Sequence, residues 1–171
     1  QAYNIKHVEY RLEELLKSRK LAKRYAGGTC LIFRLTPQDY HRYCYVSDGV
    51  VRRSRAIPGK LHCVRPIACG SVPVYAENSR EYTELKTQRF GNLIQMEIGA
   101  LLVGKICNYP RDGQVFQGEE KGYFEFGGST ILLLVEKGKL ELSSKAAGLS
   151  GTGMETRVRL GELVGVCPDK A

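Results

Sequence analysis

The run Lys121-Gly-Tyr-Phe-Glu-Phe-Gly-Gly-Ser-Thr130 leads straight into Ile131-Leu-Leu-Leu-Val135. Alternation before the glycines marks a half-buried strand, and the apolar run after them has the length of a buried one. Between the two, the chain must turn or bend where Gly127 and Gly128 relax its backbone. At its simplest this is a Gly-Gly-Ser-Thr turn joining two strands. The same residues also permit chemistry. With no Cβ at either glycine, the backbone can take strained dihedrals, and the Ser129 hydroxyl can approach the carbonyl of Gly128. That carbonyl belongs to the serine's own upstream peptide bond. Four residues do not choose between turn and nucleophile, so the rest of the chain has to.

Most of that chain is strand-like. Segments near 50–57, 61–64, 80–88, 92–99, 101–108, 121–126, 130–136, 138–143 and 155–160 are separated by Gly, Pro or Asn, and Cys30 to Leu35 adds a compact apolar run. Strands this short and numerous predict a mainly β (α+β) chain, a two-sheet or barrel-like sandwich with few helices. Val8 to Tyr25 is the exception. Leu12, Leu15, Leu16 and Tyr25 fall near a 3.6-residue period, Arg11, Lys17, Arg19, Lys20 and Lys23 occupy the other face, and Gly27-Gly28 ends the pattern. An N-terminal amphipathic helix is expected there, docked on the domain by default and able to lie on a membrane surface. Pro37 opens a short helical turn near 37–44, and Ser143 to Gly153 reads as a flexible loop.

At 171 residues the chain is long enough for one domain, spanning 1–171, with a substantial core. It opens at Gln1 without a methionine and reads as an N-terminally truncated fragment. No stretch approaches the eighteen or so apolar residues of a membrane-spanning helix. Six cysteines, at 30, 44, 63, 69, 107 and 167, include no CxxC pair, which argues against a zinc site and a disulfide scaffold. Reduced thiols in a cytosolic setting are the simpler account. Residues 1–55 carry 12 Lys/Arg against 5 Asp/Glu, so nearly all of the +8 net charge lies in the first third. Such a face attracts a polyanion, either nucleic acid or anionic lipid. The absence of Trp and of any zinc or RNA-recognition signature speaks against nucleic acid.

Three further segments accompany the Gly-Gly-Ser-Thr run. They are Phe33-Arg-Leu-Thr-Pro-Gln-Asp-Tyr-His-Arg-Tyr43, Ile57-Pro-Gly-Lys-Leu-His-Cys-Val-Arg-Pro66 and Phe90-Gly-Asn-Leu-Ile-Gln-Met-Glu-Ile-Gly-Ala-Leu-Leu-Val-Gly-Lys-Ile106. In this order and spacing, from about Gly28 to about Gly165, the chain resembles the phosphatidylserine decarboxylases. The resemblance implies self-cleavage between Gly128 and Ser129 into 1–128 and 129–171, on the order of 14 and 5 kDa. It further implies a pyruvoyl group made from Ser129, with no metal, and decarboxylation of phosphatidylserine to phosphatidylethanolamine. The matching location is peripheral, on the cytoplasmic side of a membrane carrying anionic phospholipid, and a homodimer is compatible with it. The family usually has a second histidine three residues after the one in Asp-Tyr-His, where this chain has Cys44. It also has an acidic residue upstream of where this chain begins.

His41 is the expected proton-handling residue, since an imidazole with its ordinary pKa of about 6.5 can both give and take a proton at neutral pH. Asp39 can orient it, although two residues apart on a helical turn the side chains diverge, which favours a loop anchor. Cys44 shares a face with His41 if 37–44 is helical. A thiol is a poor base unless its pKa falls, so packing is its simpler role. His62 lies on the opposite face of a strand from Leu61 and Cys63, lining a pocket or facing solvent. Glu97, inside an apolar strand, reads as a buried pocket group or an edge residue.

Three other functions fit parts of the pattern. One is a pyruvoyl decarboxylase of a soluble amino acid. Another is a processing-dead relative that binds anionic lipid. The third is a biotin- or lipoyl-type carrier domain, which the missing Met-Lys-Met attachment sequence disfavours.

Overall fold

The computed structural model describes residues 2–5, 8–64, 73–101, 105–125, 130–148 and 154–168. The chain enters as a hairpin of β1 (Ala2–Ile5) and β2 (Val8–Arg11), followed by helices α1 (Leu12–Leu16) and α2 (Arg19–Arg24). The single helix expected over 8–25 is thus a strand and two short helices. Lys17 adopts a left-handed conformation (φ 47°) that ends α1, and Ser18 restarts the chain as N-cap by accepting a hydrogen bond from Leu21 N. Leu12, Leu15, Leu16, Leu21, Ala22 and Tyr25 are buried, so the apolar stripe docks on the domain.

The strands that follow are β3 (Thr29–Arg34), β4 (Arg42–Cys44) and β5 (Gly49–Ile57). After α3 (Val74–Glu77) come β6 (Arg80–Thr87), β7 (Asn92–Ile98), β8 (Lys105–Asn108), β9 (Gly113–Val115), β10 (Glu120–Glu125) and β11 (Thr130–Val135). A small hairpin of β12 (Glu141–Leu142) and β13 (Gly165–Val166) closes the chain, with α4 (Ser144–Ala147) between them. The segments near 61–64 and 155–160 form no strand. The loop expected over 143–153 begins instead with α4, capped by Ser143, and 149–153 lies outside the described residues.

Two sheets organise the domain. A six-stranded antiparallel sheet runs β3-β11-β7-β6-β5-β9, and a three-stranded one runs β4-β10-β8. They form a sandwich and not a closed barrel. On one face of the large sheet, Ile94, Met96, Ile98, Leu132 and Leu134 pack against the leucines of α1 and α2 and against α3. On the other, Leu93, Leu133, Val135, Leu85 and Val51 form a second cluster. There Tyr43, Phe124 and Ile106, one from each strand of the small sheet, meet Ile131. Burying each aliphatic side chain contributes roughly 1.5–3 kcal/mol, enough to hold both layers.

Candidate active site

Three strand connections cross from the large sheet to the small one at the same place. β3 continues into β4, β7 into β8, and β10 returns into β11. Because β11 lies between β3 and β7, and β10 between β4 and β8, the strand ends that these connections join are neighbours on each sheet. Register fixes both edges of this corner. On the large sheet Thr130 faces Arg34 and Ile98. On the small sheet Glu125 faces Lys105, and the ladder is extended when Phe124 N donates to His41 O at 3.0 Å. Residues 126–129 join these edges, so the strands flanking the glycines do not pair as a hairpin. They belong to different sheets. Gly127, Gly128 and Ser129 themselves lie outside the described residues.

His41 reaches the corner as the residue before β4, opposite Phe124. The helical turn expected over 37–44 is not formed. Asp39 N donates to Thr36 O, closing a tight turn, and 42–44 is extended. The Asp39 carboxylate closes the same turn, accepting from Thr36 N at 2.7 Å and Thr36 Oγ1 at 2.8 Å. Those hydrogen bonds hold its carboxyl below the usual range, as expected of a loop anchor. Extended backbone also separates His41 from Cys44, because residues three apart on a strand fall on opposite faces. Cys44 is half-buried, and its carbonyl accepts from Gln95 Nε2 at 3.0 Å. The shared helical face that would have let Cys44 assist His41 is therefore absent.

His62 also sits at the corner, on an irregular segment. Its backbone is tied by buried Asn78, whose Oδ1 accepts from His62 N and whose Nδ2 donates to both His62 O and Gly99 O. Leu101 N donates to His62 O at 3.2 Å, joining this segment to the β7–β8 crossing. Gly59 allows the close approach, since a Cβ there would lie 2.3 Å from Glu77 O. The imidazole Nε2 sits 2.9 Å from Glu77 Oε2, which Lys60 also contacts at 3.3 Å. Together they hold the Glu77 carboxyl below its usual range, His62 contributing most. The far side of the corner is covered by the C-terminal segment, where Glu155 accepts from Arg34 through both carboxylate oxygens.

Glu97 is fully buried on the face of β7 toward the small sheet. Its Oε2 accepts from Lys121 Nζ at 2.6 Å and from Asn108 Nδ2 at 3.1 Å. Asn108 Oδ1 in turn accepts from Lys121 Nζ and from the Tyr43 hydroxyl. Burial pushes the Glu97 carboxyl up, against the pull of Lys121. Sequence reasoning left Glu97 between core and edge, and missed Lys121. Simple alternation puts Lys121 on the outer face with Tyr123, which lies under the Arg42 guanidinium. A bulge between Glu120 and Gly122 turns it inward. Gly122 is required there, because a Cβ would meet Cys107 O at 2.3 Å. The signal in the sequence was a glycine beside a charged residue inside a strand.

The phosphatidylserine decarboxylase family model matches residues 1–166, through all three crossings. The chain belongs to the phosphatidylserine decarboxylase family. It is 49% identical over 167 residues to phosphatidylserine decarboxylase proenzyme 2 of Clostridium acetobutylicum, covering 97% of this chain and 57% of that protein. The proenzymes of Clostridium novyi and Ruminiclostridium cellulolyticum are each 42% identical, covering 94% and 97% of this chain and 55% and 56% of their own lengths. The chain thus spans a little over half the length of these decarboxylase proenzymes. Among its described residues no helix is long and apolar enough to cross a membrane.

Proposed function

We propose that this chain carries the self-processing and catalytic corner of a pyruvoyl-dependent phosphatidylserine decarboxylase. The observation that carries the proposal is the corner itself. Self-cleavage of the family's kind would fall in the segment 126–129, which joins the end of β10 in one sheet to the start of β11 in the other, with His41 laddered to β10. In the first step the Ser129 hydroxyl attacks the Gly128 carbonyl, and the amide becomes an ester as the Ser129 nitrogen leaves. A base then takes the Ser129 Cα proton, and the Gly128 carboxylate departs. Water replaces the nitrogen of the resulting dehydroalanine, which is lost as ammonia, leaving a pyruvoyl group on Thr130. His41 is the candidate base, needed because an unassisted serine hydroxyl is a weak nucleophile.

The residues at this end fit such a group. Thr130 is fully buried, and β11 is paired on both sides, so the new terminus is held at the first residue of an inner strand. The Thr130 hydroxyl has no hydrogen-bond partner among the described residues, leaving a buried donor beside the group. When present, the pyruvoyl supplies an electron sink for the pair released as CO2 departs. His41 would return a proton to the substrate carbon, and the corner would open toward a membrane surface bearing anionic phospholipid, on its cytoplasmic side.

Intact mass tests the first half. Cleavage converts the 19.1 kDa chain into fragments of about 14 and 5 kDa. A chain that stays whole after long incubation, with its serine unconverted, overturns the proposal. Release of CO2 from phosphatidylserine and not from free amino acids tests the substrate. A His41→Ala chain that still splits yet releases no CO2 would assign His41 to decarboxylation alone.

A further inference from the structure

The strand ends joined by three connections lie together at one edge of each sheet. The apolar residues between the sheets favour contact but set no angle, because burial is non-directional. Directed bonds across the gap come from β7. Gln95 Nε2 donates to Cys44 O, and Glu97 Oε2 gathers Lys121 and Asn108. Through Asn108, Tyr43 joins the same cluster, so each strand of the small sheet supplies one member. Glu97 stands one residue before Ile98, whose strand partner is Thr130, the residue after Ser129. Lys121 stands on β10, the strand that enters the 126–129 connection.

We propose that Glu97 and Lys121 are a positioning pair for self-cleavage, their buried bond fixing the angle between the sheets and so the relative placing of Glu125 and Thr130, the strand ends that bound Gly128 and Ser129. The proposal rests on the self-processing assignment above. Stability alone does not account for the pair, since a buried ion pair is often no better than two apolar side chains of similar size. What an apolar pair lacks is direction. Attack of a hydroxyl on its own upstream carbonyl is sensitive to direction, because an error of about 1 Å in reacting geometry can cost a hundredfold in rate.

The test uses the chain with Glu97→Met and Lys121→Met combined, and separately with Glu97→Asp, which keeps the charges and shortens the reach. Thermal melting reports the fold, and intact mass over time reports splitting. Hydroxylamine, which cleaves an ester and leaves an amide, reports the first step apart from elimination. The expected result for the double variant is a melting temperature within a few degrees of native. Its fragments should form at least about tenfold more slowly, with or without hydroxylamine. Glu97→Asp should be slowed less. Folded variants that split at the native rate overturn the positioning role and leave self-processing standing. Should the double variant fail to fold, Glu97→Asp decides in the same way. A native chain that stays whole even under hydroxylamine overturns both.

Discussion

The two faces of the large sheet are held by different physics. Toward the helices the contact is apolar, aliphatic side chains joined by Tyr10, Tyr25, Tyr75 and Tyr82, and the one charge buried there among the described residues, Arg80, is spent on backbone. Its guanidinium donates to Leu15 O, Asn78 O and Glu14 O, each at 2.8 Å, capping the end of α1. Burial lowers its pKa to about 10, which leaves it charged at neutral pH. Toward the small sheet, the apolar cluster gives way at the corner to Gln95, Glu97, Lys121 and Asn108. One layer rests mainly on volume and burial, with Arg80 tying the end of α1 to the sheet. The other needs particular atoms at particular angles, and it is the layer beside the segment where chemistry is proposed.

The largest expected effect comes from breaking the directional layer. Glu97→Ala leaves Lys121 buried without its carboxylate and should cost about 3–5 kcal/mol in denaturant unfolding. A loss under 1 kcal/mol would mean that the small sheet is held by burial as the helices are. Next, Leu134→Ala on the helix face should cost about 2–5 kcal/mol, through lost burial and a cavity. Met96→Leu, on that face and nearly volume-conserving, should cost under about 1.5 kcal/mol. A larger loss would show that shape fit matters there as much as direction does at the corner. The smallest effect concerns Glu77, at the rim. Its carboxyl is held below the usual range by His62 and Lys60, so its contribution is present above the ordinary carboxylate pKa of about 4.3. That contribution is lost as pH falls through the lower folded value. Acidification below about pH 4 should therefore loosen the His62 segment slightly, and high salt should mute the change, as measured by amide hydrogen exchange at 60–64.

Much of the architecture was legible in the residues. Period-two alternation and Gly, Pro and Asn punctuation located β5, β6, β7, β10 and β11 to within a residue or two, because strands of this kind carry their burial pattern locally. The ordered motifs led to the family for the same reason. The N-terminal helix was misjudged because the apolar period runs on past Ser18, which the structure uses as the N-cap of a second helix. The 37–44 turn was misjudged because a proline start and a short polar run suit a helical turn and an Asp-closed loop equally well. The face that Cys44 and His41 would have shared fell with that turn, since it needed the helix.

Alone, the linear order of residues settled the β-rich class, the family, and the serine and histidine worth suspecting, since each rests on local pattern or motif. It could not settle that β10 and β11 part into separate sheets, nor that a bulge at Glu120–Gly122 turns Lys121 inward onto Glu97. Both depend on pairings between segments far apart in the chain. The free energy of such pairings belongs to the assembled layers, so no local window of sequence contains it.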